Sequence, residues 1–87
     1  MKHKNIIIVE DEMIIALSIK RWLEPLGIKV IDIVGTGEEA IKVVEKKEID
    51  LIIMDIALRG GLDRISTIEK IKSISDIPFI FLTANSM

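Results

Sequence analysis

Residues with acidic or hydroxyl side chains stand directly after three apolar segments of this sequence, where a buried strand would end. Glu10 and Asp11 follow the first segment, and Asp55 follows the second. Thr83 follows the third. Carboxylates about 5 Å apart repel by roughly 3 kcal/mol per pair at an effective dielectric of 20. A cluster of three therefore favours a hard divalent cation, and oxygen ligands that retain some water suit Mg²⁺.

Each of these residues also has a simpler structural interpretation when it is taken alone. The acids at 10–12 are suited to the N-cap and first turn of a following helix, and Asp11 or Glu12 is the expected cap. Asp55 is suited to a turn after a strand, and Thr83 to a loop. Their joint placement at three strand ends is what favours phosphate or metal chemistry.

The apolar segments themselves predict the strands of a sheet. Residues 6–9 and 51–54 are continuously apolar, which is typical of strands buried on both faces. Residues 77–82 predict a fourth strand, with Pro78 tolerable near its start. Residues 28–34 alternate only in part, which predicts a half-exposed strand near a sheet edge.

Helical periodicity occupies the stretches between these strands. It predicts helices over about 13–24 and about 37–47, and Thr36 with Glu39 has the spacing of a capping box at the start of the second. A third helix has an apolar side made of Ile65, Ile68 and Ile71. Trp22, Phe79 and Phe81 are candidates for the core.

Strands that alternate with helices predict a single α/β domain, because each parallel crossover needs a helix-sized connection. Function in such sheets gathers at the carboxyl ends of the strands. If the first, third and fourth strands are neighbours, the acids and the threonine meet at one edge.

Composition excludes several classes of protein. The 87 residues carry 12 basic and 14 acidic side chains, with a net charge of −2, and the basic residues are scattered. No nucleic-acid partner is therefore expected. The sequence has no Cys, and its apolar runs are far shorter than the roughly 20 residues of a membrane helix. We expect a cytoplasmic domain without membrane contact.

A dinucleotide-binding βαβ unit is one alternative. The segment from Gly35 through Gly37 to Ala40 fits G-x-G-x-x-A, and Asp55 lies at the end of the next strand. Against this function, Glu38 and Glu39 place negative charge where a pyrophosphate would bind.

The motifs together resemble those of receiver domains of two-component response regulators. The similarity runs through Ile-Ile-Ile-Val-Glu-Asp-Glu at 6–12, Met-Asp-Ile-Ala-Leu at 54–58, Asp63 and Ile-Pro-Phe-Ile-Phe-Leu-Thr-Ala at 77–84. The resemblance implies a doubly wound, flavodoxin-like parallel sheet with strands one to four in the order 2-1-3-4. It also implies a signalling module that is not an enzyme, with a sensor histidine kinase as its partner.

The resemblance further implies a role for each residue of the site. Asp55 would accept a phosphoryl group from the phosphohistidine of the kinase. Mg²⁺ would be held by Glu10 through water, by Asp11 and Asp55, and by the backbone carbonyl of Ala57. The hydroxyl of Thr83 would bond the phosphoryl group.

Two features depart from the family's pattern. Arg64 follows Asp63 where the family normally has Gly. The family also continues with a Lys-bearing fifth strand and further helices, so we expect residues 1–87 to form a receiver domain that is incomplete at its carboxyl end. The bare edge of the fourth strand would then favour a homodimer or a strand-exchanged oligomer. A pseudo-receiver, an interaction module that phosphate does not regulate, stays open as an alternative.

Overall fold

A computed structural model describes residues 4–55 and 64–82, in which strands and helices alternate along the chain. The strands are β1 (Asn5–Val9), β2 (Lys29–Val34), β3 (Leu51–Asp55) and β4 (Phe79–Leu82). The helices are α1 (Met13–Leu23), α2 (Gly37–Lys46) and α3 (Arg64–Ile74), and a 3₁₀ turn at Glu24–Leu26 extends α1. None of the helices formed by the described residues has the length and apolar character needed to span a bilayer.

The four strands form one parallel sheet in the order β2-β1-β3-β4, as predicted. The central strands β1 and β3 are the continuously apolar ones, and the side chains of Ile7, Ile8 and Ile52 are fully buried. Isoleucine and valine suit this position because β-branched side chains pack well on a pleated surface that is covered on both sides.

Helices cover both faces of the sheet. On one face, α2 and α3 pack on β1 and β3, with Val44 and Ile71 among the buried side chains. On the other face, α1 packs through Ala16 and Ile19 onto Ile8. The two layers hold the strands in place, so the positions of the strand ends are set by burial of their apolar residues.

The edge strand β2 has the half-exposed character predicted for it. Its register against β1 shifts between Ile6 and Ile7, which pair with Val30 and Asp32 respectively. The carboxylate of Asp32 accepts a hydrogen bond from the N–H of Ile33 at 2.9 Å. A bulge and a charged residue both discourage a further strand from adding to this edge.

The predicted capping box starts α2 in a slightly altered form. The hydroxyl of Thr36 accepts from the N–H of Glu39 at 3.2 Å. The Glu39 carboxylate accepts from the N–H of Gly35 at 2.8 Å, one residue before the cap itself. Amides of the first turn that would otherwise lack partners are thereby satisfied within the turn.

Part of the predicted core is wrong. Trp22 is 72% exposed, because the inner side of α1 is formed by Ala16, Ile19 and Leu23, and Trp22 points about a quarter turn away from it. Phe79 packs partly against the core, whereas Phe81 is 44% exposed.

The apolar side predicted for α3 is also only partly correct. Ile71 is fully buried and Ile68 is partly buried, but Ile65 is exposed. Thr67 is fully buried instead. The buried side of α3 is therefore not the side that its three isoleucines predict.

Candidate functional site

Three carboxylates meet at the carboxyl edge of the sheet. Val9 pairs with Met54, so the acids that follow on the two strands, Glu10 and Asp55, come side by side. Asp11 is the next residue along the chain. One carboxylate oxygen from each of the three acids lies within 4.8 Å of the others. The predicted convergence of these acids is confirmed.

The backbone around β1 holds Glu10 in the cluster. Its N–H donates to the carbonyl of Val34 at 2.8 Å, and its carboxylate accepts from the N–H of Glu12 at 3.0 Å. Glu12 is the N-cap of α1, and no side chain caps this helix start. Glu12 thus occupies the predicted N-cap position, but the prediction that Asp11 or Glu12 caps the helix through its side chain is wrong.

Burial makes the cluster electrostatically unfavourable. Glu10 is 3% exposed and Asp55 is 6% exposed, while Asp11 faces solvent. Loss of hydration on burial raises the pKa of Glu10 from 4.5 to about 7, and the neighbouring Asp55 and Asp11 add to this effect. The hydrogen bond from the Glu12 amide opposes it. Near neutral pH, Glu10 is thus balanced between its acid and carboxylate forms.

The donor set fits a hard divalent cation. All three side chains offer oxygen, the ligand type that Mg²⁺ prefers. Two oxygens on opposite sides of a Mg²⁺ ion are about 4 Å apart, since each bond is about 2.1 Å long. The spacing within 4.8 Å is therefore close to what one cation needs.

Two further residues of the predicted site, Ala57 and Thr83, lie outside the described residues, as do Asp63 and Ala84. The last residue of β4, Leu82, pairs with Asp55. The β1, β3 and β4 strands are neighbours in the predicted order. The roles of Ala57 and Thr83 stay predictions.

The glycines of the dinucleotide-like segment have structural roles here. The N–H groups of Gly35 and Glu39 already donate to side chains of the same turn. A methyl group on Gly37 would collide with the hydroxyl of Thr67 and would lie 3.1 Å from its Cβ. Gly37 therefore permits α2 to approach α3 closely, which explains it without a bound phosphate.

Sequence reasoning missed the apolar surface beside the acids. Met13, Ile14 and Leu17 are all exposed on α1, and Ile14 is 82% exposed. The signal was available, because α1 is apolar around most of its circumference and carries only two charged residues, Lys20 and Arg21. A helix of this kind normally packs on both sides.

Comparison with known proteins identifies the family. The family model described as "Response regulator receiver domain" matches residues 6–87. The chain belongs to this family, as the sequence motifs had indicated. It is a receiver domain of two-component signalling, a class of signalling module rather than a classical enzyme.

Curated relatives agree with this assignment. The chain is 41% identical over 86 residues to the transcriptional regulatory protein YvrH of Bacillus subtilis, covering 99% of this chain and 36% of that protein. It is 36% identical over 81 residues to the phyllosphere-induced regulator PhyR of Methylorubrum extorquens, covering 92% of this chain and 30% of that protein. The chain thus spans about a third of the length of these relatives.

Solved structures match the fold over nearly the whole chain. The N-terminal domain of a response regulator/sensory box/GGDEF three-domain protein from Carboxydothermus hydrogenoformans is 41% identical with a TM-score of 0.87. The match covers 97% of this chain and 67% of that one. A signal receiver domain of a modulated diguanylate cyclase from Desulfovibrio desulfuricans is 31% identical with a TM-score of 0.86, at 97% and 67% coverage.

Proposed function

We propose that the chain is a phosphoacceptor receiver that takes a phosphoryl group from the phosphohistidine of a sensor kinase onto Asp55. The observation that carries this proposal is the meeting of Glu10, Asp11 and Asp55 within 4.8 Å at the carboxyl edge of the sheet. Helix capping and turn formation would not require Asp55 to meet the acids at 10 and 11, whereas a cation-dependent transfer does.

The chemistry is a transfer of one phosphoryl group between two nucleophiles. A carboxylate oxygen of Asp55 forms a bond to phosphorus, and the phosphorus–nitrogen bond of the donor breaks. The released imidazole nitrogen takes up a proton, so charge and atoms balance. Glu10, Asp11 and Asp55 would hold a Mg²⁺ ion, which would neutralise the phosphoryl oxygens and align donor and acceptor.

Asp55 suits the role of acceptor in position as well as in chemistry. It is the last residue of β3 and is buried, whereas Asp11 is exposed. Glu10 is held by the Glu12 amide. We assign Ala57 the carbonyl ligand and Thr83 the hydroxyl that bonds the acyl phosphate, as the family pattern implies.

The partner must reach Asp55, so it must contact the surface around the acids. The first turns of α1 begin two residues after Asp11 and expose Met13, Ile14 and Leu17. Exposed apolar side chains next to a reactive group are suited to a protein partner. We propose that the kinase covers this surface while its phosphohistidine reaches the carboxylate.

The experiment is incubation with acetyl phosphate and Mg²⁺, followed by intact-mass measurement. We expect the mass to increase by one phosphoryl group in the wild type and not in Asp55→Asn. Asp76→Asn, which changes an exposed acid far from the cluster, is the matched control and should behave as the wild type does. A wild type without a mass gain, or a gain that survives Asp55→Asn, contradicts the proposal; the first of these outcomes is the one expected of a pseudo-receiver.

A further inference from the structure

Arg64 is held in an unusual position at the start of α3. Its guanidinium carbon lies 5.8 Å from the centre of the Phe81 ring, and that ring stacks on Phe79 at 6.0 Å. A cation at a helix N-terminus is disfavoured by the helix dipole, and no acid stands among the described residues of the first turn of α3. The contact with Phe81 offsets part of this cost.

This charge lies near the acid cluster. Phe81 pairs with Met54, the residue before Asp55, on strands about 4.8 Å apart. Adding the step of about 3.8 Å from Met54 to Asp55, the reach of the Phe81 side chain and the 5.8 Å from ring to guanidinium sets an upper limit of roughly 20 Å between Arg64 and the Asp55 backbone. Within residues 4–55 and 64–82, Arg64 takes part in no ion pair, so its charge is not cancelled by a described acid.

The cation at the opposite end of α3, Lys72, is placed differently. Lys72 lies in the last turn, eight positions along the helix and therefore about 12 Å further from the first turn. It is exposed, at the end of the helix where the dipole favours a cation. Helix stability explains Lys72, but it does not explain Arg64.

We propose that Arg64 is a steering charge for the phosphoryl donor, which raises the rate at which an anionic phosphate reaches Asp55. This inference rests on the proposed function of Asp55. The same charge repels Mg²⁺, so Arg64 acts on the two ligands of the site with opposite sign. Over about 10–20 Å in water, its effect on a doubly charged ligand is about two- to fourfold, and added salt weakens it because the Debye length is about 8 Å at physiological ionic strength.

The test compares Arg64→Gln with Lys72→Gln, which removes the same charge from the far end of the helix. At low ionic strength and saturating Mg²⁺, we expect Arg64→Gln to slow phosphorylation by acetyl phosphate about two- to fourfold. In calorimetric titration we expect it to bind Mg²⁺ more tightly by a similar factor. Lys72→Gln should change neither quantity, and Arg64→Lys should keep the wild-type values.

The opposite signs distinguish steering from a structural role. If Arg64→Gln weakens both phosphorylation and Mg²⁺ binding, or lowers the melting temperature markedly, the residue is structural and the inference is wrong. Equal effects of Arg64→Gln and Lys72→Gln would show a general effect of net charge and would also overturn it. If the wild type takes no phosphoryl group, the proposed function of Asp55 is wrong. The Mg²⁺ titration still tests the charge effect of Arg64, because an unchanged affinity in Arg64→Gln would refute it.

Discussion

Glu10 and Asp55 stand at equivalent register positions on neighbouring strands, each directly after the pair formed by Val9 and Met54. Both are nearly fully buried. Ionising two carboxylates so placed is costly, so at low and neutral pH one of them favours a proton unless a cation is bound between them. The proton goes to Glu10, whose pKa burial raises to about 7.

The raised pKa of Glu10 makes stability depend on pH. Between about 4.5 and 7 the folded chain keeps a proton that the unfolded chain releases, so the free energy of unfolding falls as pH rises. At about 1.4 kcal/mol per pH unit, this contribution amounts to about 3 kcal/mol, present in full below pH 4.5 and lost above pH 7. We expect Glu10→Gln to be more stable than the wild type at pH 8 by an amount of this order.

Urea unfolding without Mg²⁺ at pH 5 and pH 8 measures this effect. The difference between Glu10→Gln and the wild type should grow from pH 5 to pH 8. Glu45→Gln removes an exposed acid from α2 and should run parallel to the wild type at both values. A parallel response of Glu10→Gln would show that Glu10 does not carry the proton.

The same proton should compete with Mg²⁺. A cation bound by the three acids needs Glu10 in its carboxylate form, so binding releases the proton. With a pKa of about 7, the carboxylate fraction rises about tenfold from pH 6 to pH 8, and we expect the Mg²⁺ affinity to rise by a similar factor.

Calorimetric titration in two buffers of different ionisation enthalpy measures the proton release directly. About half a proton should leave per Mg²⁺ bound at pH 7, and almost none at pH 8.5. Glu10→Gln should bind more weakly and with an affinity that is nearly constant over this range. A wild-type affinity that does not change between pH 6 and pH 8 would remove Glu10 from the ligand set.

How far the sequence determines this fold depends on whether a signal is local. The apolar runs of β1 and β3 and the spacing of Thr36 and Glu39 each specify a structure within a few residues, and those predictions are confirmed. An aromatic residue such as Trp22 is a candidate for the core, but which side of α1 faces the sheet depends on packing from elsewhere in the chain, and Trp22 is exposed.

Predictions about the site also depend on whether the signal is local. The position of acids after strands is local, and the parallel order then requires them to meet. The cation–π contact of Arg64 joins residues from two elements, and no spacing within one segment encodes it. The altered pKa of Glu10 likewise depends on burial between strands that are distant in sequence.

The close approach of Gly37 to Thr67 predicts a cost for any larger residue. In Gly37→Ala the new methyl group meets the Thr67 hydroxyl, Cβ and Cγ2, the last at 3.2 Å, so the two helices must separate. We expect destabilisation by about 1–3 kcal/mol, the usual range for an overfilled contact. Chemical denaturation measures the loss.

A double-mutant cycle isolates this contact. Thr67→Ala removes a buried hydroxyl that has no hydrogen-bond partner among the described residues, together with a buried methyl group, whose loss costs about 1 kcal/mol and is subtracted in the cycle. Gly37→Ala should then cost less in the Thr67→Ala background than in the wild type. Equal costs in the two backgrounds would place the strain elsewhere.

The two edges of the sheet differ in a way that predicts self-association. β2 carries a bulge and the charged residues Lys29 and Asp32. β4 is Phe-Ile-Phe-Leu, and Ile80 on it is 47% exposed. An apolar edge strand without charge or bulge pairs readily with another chain.

We therefore expect a polypeptide of these 87 residues to form dimers or larger species in sedimentation experiments. Ile80→Lys should shift the distribution toward monomer, because a charged side chain on an edge strand opposes pairing. Leu26→Lys, which adds the same charge at another exposed apolar residue, away from β4, is the control and should leave the distribution unchanged. A wild type that sediments as a monomer at every concentration tested, or equal effects of the two lysine variants, would show that the β4 edge does not drive association.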